Sequence, residues 1–282
     1  GVGRGRTTGG WRSGVMSGFG DIYRTLFALE LSVMFQYRAA VVIWLLGLVL
    51  QPVILMIVWL TVAESKGGAV GDFDAGEIAA YFIAVMLVNH VTFTWHMYEM
   101  GWRVRSGFFN SILVQPLHPW HRDVLQNVAY KVLSLGVMLP VAALLAWYFE
   151  PTLDPPLWAV LAFFPALILA FLARFFLEWA VALLAFWITD TSGLNELYVA
   201  FVVVLTGSMA PLSFMPEVLQ TLATWTPFPW MVSFPVELLL SRLTPDEALH
   251  GFVMQGLWIV VGFGVVQLAW RRAVSRYSAV GA

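Results

Sequence analysis

The chain has 282 residues, of which 60% are hydrophobic and only 11% are charged. A soluble domain carries about twice that charged fraction, so the composition excludes an ordinary soluble protein. The net charge of -2 decides little, because the position of the basic residues is what orients a membrane protein. The absence of cysteine excludes disulfides, thiolate metal sites and thiol catalysis.

Residues 1–19 form a Gly/Arg-rich leader for which the sequence predicts flexibility and no fold. The first apolar run starts only near Ala39, so a cleaved signal peptide is not expected. Residues 20–38 carry apolar side chains at helical spacing, with Arg24 and Glu30 off the apolar stripe. This pattern predicts an amphipathic helix in the cytoplasmic membrane interface. The alternative is that the stretch is the cytoplasmic end of a long first span.

Apolar runs long enough to cross a bilayer recur along the chain and predict an all-α integral membrane protein with six transmembrane helices. The predicted spans are residues 39–62, 77–97, 128–149, 157–187, 196–210 and 249–270. The fifth span is short because Pro211 and Pro216 interrupt its far end. We therefore expect a transmembrane domain over residues 39–272 and a cytoplasmic tail over residues 273–282.

The basic residues predict the orientation of these spans. If the N-terminus is cytoplasmic, 12 of the 15 lysines and arginines lie on the inner side: Arg4, Arg6, Arg12, Arg24, Arg38, Arg103, Arg105, Arg122, Lys131, Arg271, Arg272 and Arg276. The positive-inside rule then favours two cytoplasmic termini, in agreement with an even number of spans. The expected location is the plasma (inner) membrane, with multiple passes.

The second and third spans are joined by a cytoplasmic segment, residues 98–127, that contains "SILVQPLHPWHRD". A helix is expected to continue to Gln115, since Pro116 disfavours helical geometry in the residue before it. A proline-fixed corner follows, and a second helix is expected to start near Asp123 as its N-cap. Such a stiff projection suits the passage of force from a soluble partner to the membrane helices.

Two histidines in this segment raise the question of a metal site. Pro119 lies between His118 and His121 and breaks the helical geometry that would aim both at one ion. We therefore interpret them as exposed loop histidines or as contacts to a partner. Leu117 and Trp120 are better anchors for a partner, because aromatic residues dominate the buried centres of interfaces. The alternative for Trp120 is a place at the inner lipid interface.

Several polar residues fall inside the predicted spans. Arg174 and Glu178 are one helical turn apart, and a lone charge at that depth costs at least ~3 kcal/mol, so the two are expected to pair. We favour an interhelical structural lock for this pair, with contact to a substrate as the alternative. Gln51, Asn89 and His90 could line a translocation path or form hydrogen bonds between helices.

Two further patterns lie in the turn after the fourth span and along the last span. Asp190 and Ser192 sit in a tight inner turn that is either a second partner contact or a plain N-capped turn. Small residues in the last span suggest close helix packing, at a subunit interface or elsewhere. They are Gly251, Gly256, Gly262 and Gly264.

Residues 211–247 form an apolar outer segment that contains six prolines, so no single helix crosses it. Two short helices, near residues 216–225 and 232–242, are expected to dip into the outer leaflet as a re-entrant segment. An ordinary folded outer loop is the alternative. The candidate outer gate consists of Pro211, Pro216, Trp225, Phe228 and Trp230.

Two sets of residues in this order resemble the membrane-spanning permeases of type-2 ABC exporters. The first set lies in the cytoplasmic segment: Glu99, Gly101, Arg103, Leu113, Pro116, Leu117 and Pro119. The second set begins near the end of the fifth span and continues beyond it: Gly207, Pro211, Pro216, Pro227 and Phe228. The six-span layout, the interfacial helix and the broken segment before the last span also match the family.

The resemblance implies a transporter half that pairs with a second permease, as a homodimer or heterodimer, and docks one separate ATPase subunit per half. This chain would bind no cofactor itself, since ATP and magnesium would act through the two partner ATPases. The chain indeed lacks a G-x-x-x-x-G-K-[ST] loop. Membrane lipids are the other expected contact, and no nucleic acid is expected. The residues implied in ATPase docking are Glu99, Arg103, Arg105, Pro116, Leu117, His118, Pro119, Trp120, His121, Arg122, Asp190 and Ser192.

The expected function is outward movement of an amphipathic drug, a lipid or a lipid-linked molecule. The aromatic, apolar outer segment is the evidence for this, and the same segment could equally anchor the protein in the membrane. A polysaccharide carrier also stays open, because aromatic rings stack on sugars. An intramembrane lipid-modifying enzyme would need acid, base or metal-binding groups converging at one depth, and the acidic residues are scattered. An ion-coupled carrier or channel would need several intramembrane charges or internal repeats, and one charged pair stands out.

Overall fold

The computed structural model describes residues 19–115 and 117–277, and most of them are helical. The helices are α1 (Phe19–Gln36), α2 (Arg38–Ser65), α3 (Ala75–Thr92), α4 (His96–Arg105), α5 (Phe109–Leu113), α6 (Pro119–Phe149), α7 (Leu157–Ala182), α8 (Ser192–Leu205), α9 (Glu217–Thr224), α10 (Ser233–Leu239) and α11 (Pro245–Arg276). Short 3-10 turns cover Leu183–Phe186, Leu212–Phe214 and Pro229–Met231. A short antiparallel hairpin lies between α2 and α3, and its strands have two residues each: β1 (Ala69–Val70) and β2 (Phe73–Asp74).

Five stretches of the described residues are long and apolar enough to cross a membrane: Arg38–Ser65, Ala75–Arg105, Pro119–Phe149, Leu157–Phe186 and Pro245–Arg276. They coincide with five of the six predicted spans. In an apolar 18-residue part of the second stretch, 67% of the residues are buried inside the protein, against 17–39% in the other four stretches. The second stretch, which begins with α3, is therefore the central one. The all-α membrane class is therefore confirmed.

The predicted fifth span is not confirmed as a full transmembrane helix. It falls on α8, whose 14 residues extend about 21 Å, short of a bilayer core of about 30 Å. The helix ends at Leu205, before Pro211 and Pro216 could interrupt it, because Gly207 adopts a positive φ of 81°. The hydroxyl of Tyr81 in α3 donates to the Gly207 carbonyl at 2.8 Å, which fixes this turn against the central helix.

The predicted cytoplasmic elements gather at one end of the helices. Nε of Arg122 in α6 donates to Oε1 of Glu30 in α1 at 2.8 Å, and Phe109 of α5 packs against Trp270 in α11. The predicted outer elements meet at the other end, where Arg242 follows α10 and its Nη2 donates to Glu77 of α3 at 3.1 Å. The chain thus forms two separate polar ends joined by apolar helices.

Helix α1 covers the predicted interfacial helix, and a single residue, Tyr37, separates it from α2. The sequence placed Glu30 on its polar side, and the structure buries that residue at 1% exposure because it pairs with Arg122. Leu29 and Phe35 are instead exposed, each at 52%. Glu30 therefore faces α6, whereas Arg24 is exposed, and the placement of α1 in the membrane interface stays a prediction.

The two short helices predicted in the outer segment are confirmed as α9 and α10. Prolines begin or interrupt each piece: Pro216 caps α9, and Pro229 starts the 3-10 turn before α10. The depth of this segment in the outer leaflet stays a prediction.

Close packing at the predicted glycines occurs at two of the four positions. A Cβ atom on Gly251 would lie 2.1 Å from Cε2 of Phe234, and one on Gly262 would lie 3.1 Å from Cβ of Phe176. Gly256 and Gly264 have open space around them. The packing is therefore within the chain, between α11 and its neighbours α10 and α7.

We predict that Gly251→Ala destabilises the protein, because Phe234 is buried between Trp230 and Phe252 and cannot move freely. Overpacking of this kind costs about 1–3 kcal/mol. The measurement is the melting temperature of purified protein in detergent. Gly256→Ala is the matched control and should leave the melting temperature nearly unchanged; equal effects of both changes would contradict the packing argument.

The predicted topology can be tested with single cysteines, since the natural chain has none. Cysteine at the exposed Lys66 should react with a membrane-impermeant maleimide in intact cells. Cysteine at the exposed Ser111 should react only after permeabilisation. The reverse pattern would place both termini outside.

Candidate functional site

The predicted ion pair in α7 is formed. Nε of Arg174 donates to Oε1 of Glu178 at 2.8 Å, and both side chains are buried. Nη1 of Arg174 also donates to Oδ1 of Asn89 and to Oγ1 of Thr92 in α3, each at 3.2 Å. The pair therefore joins α7 to α3, as a lock between helices requires.

Glu178 collects donors from two more elements. The hydroxyl of Tyr198 in α8 donates to Oε1 at 3.2 Å, and the hydroxyl of Thr94, between α3 and α4, donates to Oε2. Three donors around one buried carboxylate offset much of the free energy lost when the group leaves water. Loss of any one partner would leave part of that charge uncompensated.

The network borders a pocket of about 150 Å³ between α2, α3, α4, α7 and α8. Four predicted path residues, Gln51, Asn89, Arg174 and Glu178, line it together with Tyr98, Tyr198 and Ser208. Nδ2 of Asn89 donates to Oγ of Ser208 at 2.9 Å. The structure thus brings together residues that the sequence could only place at similar depths.

The fifth predicted path residue lies elsewhere. Nε2 of His90 is 2.9 Å from Oγ of Ser134 in α6, and His90 is not among the residues that line the pocket. For His90 the interpretation as a hydrogen bond between helices is correct.

Lys131 is a buried charge that sequence reasoning missed, because we counted it with the basic residues of the cytoplasmic side. Its side chain lies in α6 at 6% exposure. Nζ donates to the Phe93 carbonyl at 2.9 Å and to Oδ1 of Asn127 at 3.0 Å, and it lies over the ring of Phe171. The signal in the sequence was Asn127, one helical turn before it, which can face the same side of a helix.

At the cytoplasmic end, a second charged cluster joins α4 to α6. Nη1 of Arg103 donates to both oxygens of Asp123, at 2.9 and 3.1 Å, and Nη2 donates to Oε2 of Glu99 at 2.8 Å. Nε1 of Trp179 in α7 donates to Oδ2 of Asp123 at 2.9 Å. Arg103 and Asp123 are both buried, so this cluster is a fixed part of the fold.

The cluster corrects two predictions about the cytoplasmic segment. Asp123 is not an N-cap: α6 begins at Pro119, and Nδ1 of His118 accepts from the Trp120 backbone at 3.4 Å. The preceding helix does not run unbroken to Gln115 either, because Gly107 adopts a positive φ of 73° and separates α4 from α5. Pro116 lies outside the described residues.

The interpretation of the histidines as exposed is also wrong. The His118 ring centroid is 4.4 Å from that of Trp270, and the His121 ring stacks on Trp120 at 3.6 Å. The hydroxyl of Tyr23 in α1 forms a hydrogen bond with Nδ1 of His121. Burial, followed by the nearby His121, lowers the pKa of His118 to about 4, so this ring is neutral at physiological pH.

Trp120 and Leu117 are half-buried, and Trp120 packs against Phe176 of α7. The exposed aromatic rings of the segment include Trp102, Tyr98 and Phe108, at 56%, 48% and 44% exposure, and the ring centroids of Trp102 and Phe108 are 5.5 Å apart. They line a cleft of about 480 Å³ whose other walls include Glu99, Arg103, Pro119, Arg122 and Asp123. The cleft thus combines accessible aromatic rings with charged groups.

Arg105 joins the two regions predicted to contact a partner, the cytoplasmic segment and the turn that contains Asp190 and Ser192. Its Nη1 donates to the Thr189 carbonyl at 2.6 Å, next to the turn in which Oδ1 of Asp190 accepts from the amide and hydroxyl of Ser192. These hydrogen bonds lower the pKa of Asp190. The turn is therefore closed by Asp190 but is not an N-cap of α8, because the N-cap position is Thr191 and its side chain forms no capping hydrogen bond among the described residues. A role of this turn in docking stays a prediction.

The candidate outer gate does not form one site. Pro211 is buried, Pro216 is exposed and Trp225 is 80% exposed. Phe228 packs near Tyr198 and Phe201 of α8, whereas Trp230 packs near Phe234 and His250.

Comparison with known proteins places these features in context. A family model described as "ABC-2 family transporter protein" matches residues 48–281, which is more than half of the chain. A comparison with curated proteins gave no match.

We predict that Arg103→Met lowers the melting temperature strongly, because it leaves Asp123 charged, buried and short of its main partner. Breaking one side of a buried pair costs about 3–5 kcal/mol. The double change Arg103→Met/Asp123→Leu should recover part of the loss, since no unpaired charge then remains at that depth. Thermal denaturation in detergent measures both, and a double variant less stable than the single one would contradict this account.

Proposed function

The chain belongs to the ABC-2 transporter family, and we propose that it is the membrane-spanning permease of an ATP-driven exporter. Family membership implies an ABC ATPase partner in general. In this proposal two permease chains, identical or different, assemble with two copies of that ATPase in the plasma membrane. Both termini lie in the cytoplasm.

The observation that carries the proposal is the continuous connection between the cytoplasmic cluster and the intramembrane pocket. Helix α4 holds Arg103 at one end, and the residues just before α4 include Thr94, which donates to Glu178. Helix α6 holds Asp123 near its start and Lys131 two turns later, where Nζ binds the Phe93 carbonyl. Force applied to the Arg103–Asp123 cluster can therefore reach the pocket by two routes. One runs along α4 to Thr94 and Glu178, and the other runs along α6 to Lys131 and the Phe93 carbonyl.

The cytoplasmic cleft supports docking of the ATPase. Trp102 and Phe108 present accessible rings beside Glu99 and Arg122, whose side chains are 43% and 39% exposed. Exposed aromatic and arginine side chains beside a pocket are typical anchors of protein interfaces. We propose that the predicted docking residues act around this cleft, with Trp102 and Phe108 in the anchoring role first assigned to Trp120 and Leu117.

Outward transport of an amphipathic molecule is the direction we propose. The polar pocket lies beside apolar grooves along α2, which suits a substrate with a polar and an apolar part. Phe228 of the outer segment packs near Tyr198, a residue that lines the pocket. That contact supports an outer segment that returns toward the membrane interior and closes the path from outside.

Purified alone, the chain should hydrolyse no ATP, and co-expression with the ATPase encoded beside it should yield a complex with vanadate-sensitive hydrolysis. Trp102→Ala should lower ATPase binding and coupled hydrolysis at least about tenfold, the effect of losing an interface anchor. Trp147→Ala is the matched control, since Trp147 is 77% exposed at the far end of α6. Failure to isolate any complex with an ABC ATPase would overturn the proposed function.

A further inference from the structure

Arg174 has one nitrogen that the protein does not use. Nε and Nη1 of the guanidinium form three hydrogen bonds, whereas Nη2 has no hydrogen-bond partner in residues 19–115 and 117–277. The side chain is only 7% exposed and lines the 150 Å³ pocket. A guanidinium nitrogen that carries two N–H donors and faces no protein acceptor points to an acceptor on a ligand.

The acceptors of Glu178 and Asn89 around Arg174 each already hold at least one donor. Oε1 of Glu178 accepts from Arg174 and Tyr198, Oε2 accepts from Thr94, and Oδ1 of Asn89 accepts from Arg174. The wall of the pocket therefore offers a free donor and carboxylate oxygens that are already bonded.

Two further polar side chains of the pocket are free. Gln51 and Tyr98 form no side-chain hydrogen bond within the described part of the chain, and each can donate one. With Arg174 they form a set of donors from α2, α4 and α7. An anionic oxygen group matches such a set better than a cation does, because a cation would face the guanidinium.

The shape of the site sets the size of the ligand. A volume of 150 Å³ accommodates a head group and not a whole amphiphile. Gln51 and Val203 also line an adjoining groove of about 510 Å³, whose other walls are Gly47, Leu50, Ile54, Leu55 and Met209. The side chains of Leu50 and Ile54 are more than half exposed, so this groove is open and apolar.

We propose that the pocket binds the anionic head group, a carboxylate or a phosphate, of a single-chain amphiphile whose hydrocarbon chain lies in the groove along α2. This inference rests on the proposed function, because it names the substrate class of the permease. Arg174 recognises the head group through Nη2, and Gln51 and Tyr98 complete its hydrogen bonds.

The test uses the full chain in phosphatidylcholine nanodiscs, without an ATPase, and the fluorescent probe 11-(dansylamino)undecanoic acid. The acid should bind saturably and at least about tenfold more tightly than its methyl ester, which has the same chain but no charge. Lauric acid and dodecyl phosphate should each displace the probe if both head groups fit, and displacement by one alone identifies the head group. Dodecanol should displace it poorly. Equal affinity for the acid and its ester would overturn the proposal in favour of an apolar groove alone.

Three variants locate the binding. Arg174→Lys keeps the charge beside Glu178 but removes the free nitrogen, and should weaken binding of the acid about tenfold while leaving the ester unaffected. Gln51→Leu leaves the ion-pair network untouched and should weaken binding of the acid by a smaller factor than Arg174→Lys does. Gln267→Leu is the matched control on α11, where Gln267 lines none of these pockets, and should bind as the natural protein does.

Natural affinity for the acid in both Arg174→Lys and Gln51→Leu would overturn the site. If Arg174→Lys does not fold, Tyr98→Phe with Gln51→Leu decides the question. This experiment separates the two proposals because it needs no ATPase. Selective binding without any ATPase complex would leave the site standing and the proposed function rejected, and the reverse result would reject the site alone.

Discussion

Charges buried among membrane helices must be compensated inside the protein, and this constraint organises the structure. In a medium that cannot hydrate them, an unpaired arginine or carboxylate costs several kcal/mol. The chain meets the constraint with two layers, one around Arg174 and Glu178 and one around Arg103 and Asp123. Each layer draws its partners from different helices, so compensation of charge also fixes the positions of the helices.

The same constraint explains why the second span can be interrupted between α3 and α4. A broken helix leaves backbone carbonyls without partners, which is tolerated in a membrane only where the protein supplies donors. Here Nζ of Lys131 binds the Phe93 carbonyl, and Thr94 at the break donates to Glu178. The break is thus bonded from both sides, and it places α4 and its arginines beside the start of α6.

Local features of the site could be predicted from the sequence, and the distant ones could not. Arg174 and Glu178 are four residues apart, so one helical turn was enough to predict their contact. Arg103 and Asp123 are 20 residues apart and meet because Gly107 turns the chain, a geometry that no periodic pattern reveals. Lys131 was misplaced because its position near the predicted end of a span resembles that of an interfacial lysine. Five spans followed from hydropathy alone, whereas the early end of α8 depends on the contact of Tyr81 with Gly207.

The distribution of polar contacts also indicates which helix can move. Helices α3, α4, α6 and α7 are joined by both charged layers, since Trp179 binds Asp123 and Arg174 binds Asn89.

Helix α2 differs from these four. Its one long-range side-chain hydrogen bond in the described residues runs from Nε1 of Trp59 to the Met209 carbonyl, at 3.1 Å. Its remaining contacts within the described residues are apolar, and such contacts hold membrane helices together by van der Waals packing. Separation of α2 from the bonded group would therefore break few hydrogen bonds, and it would open the pocket between Gln51 and Arg174.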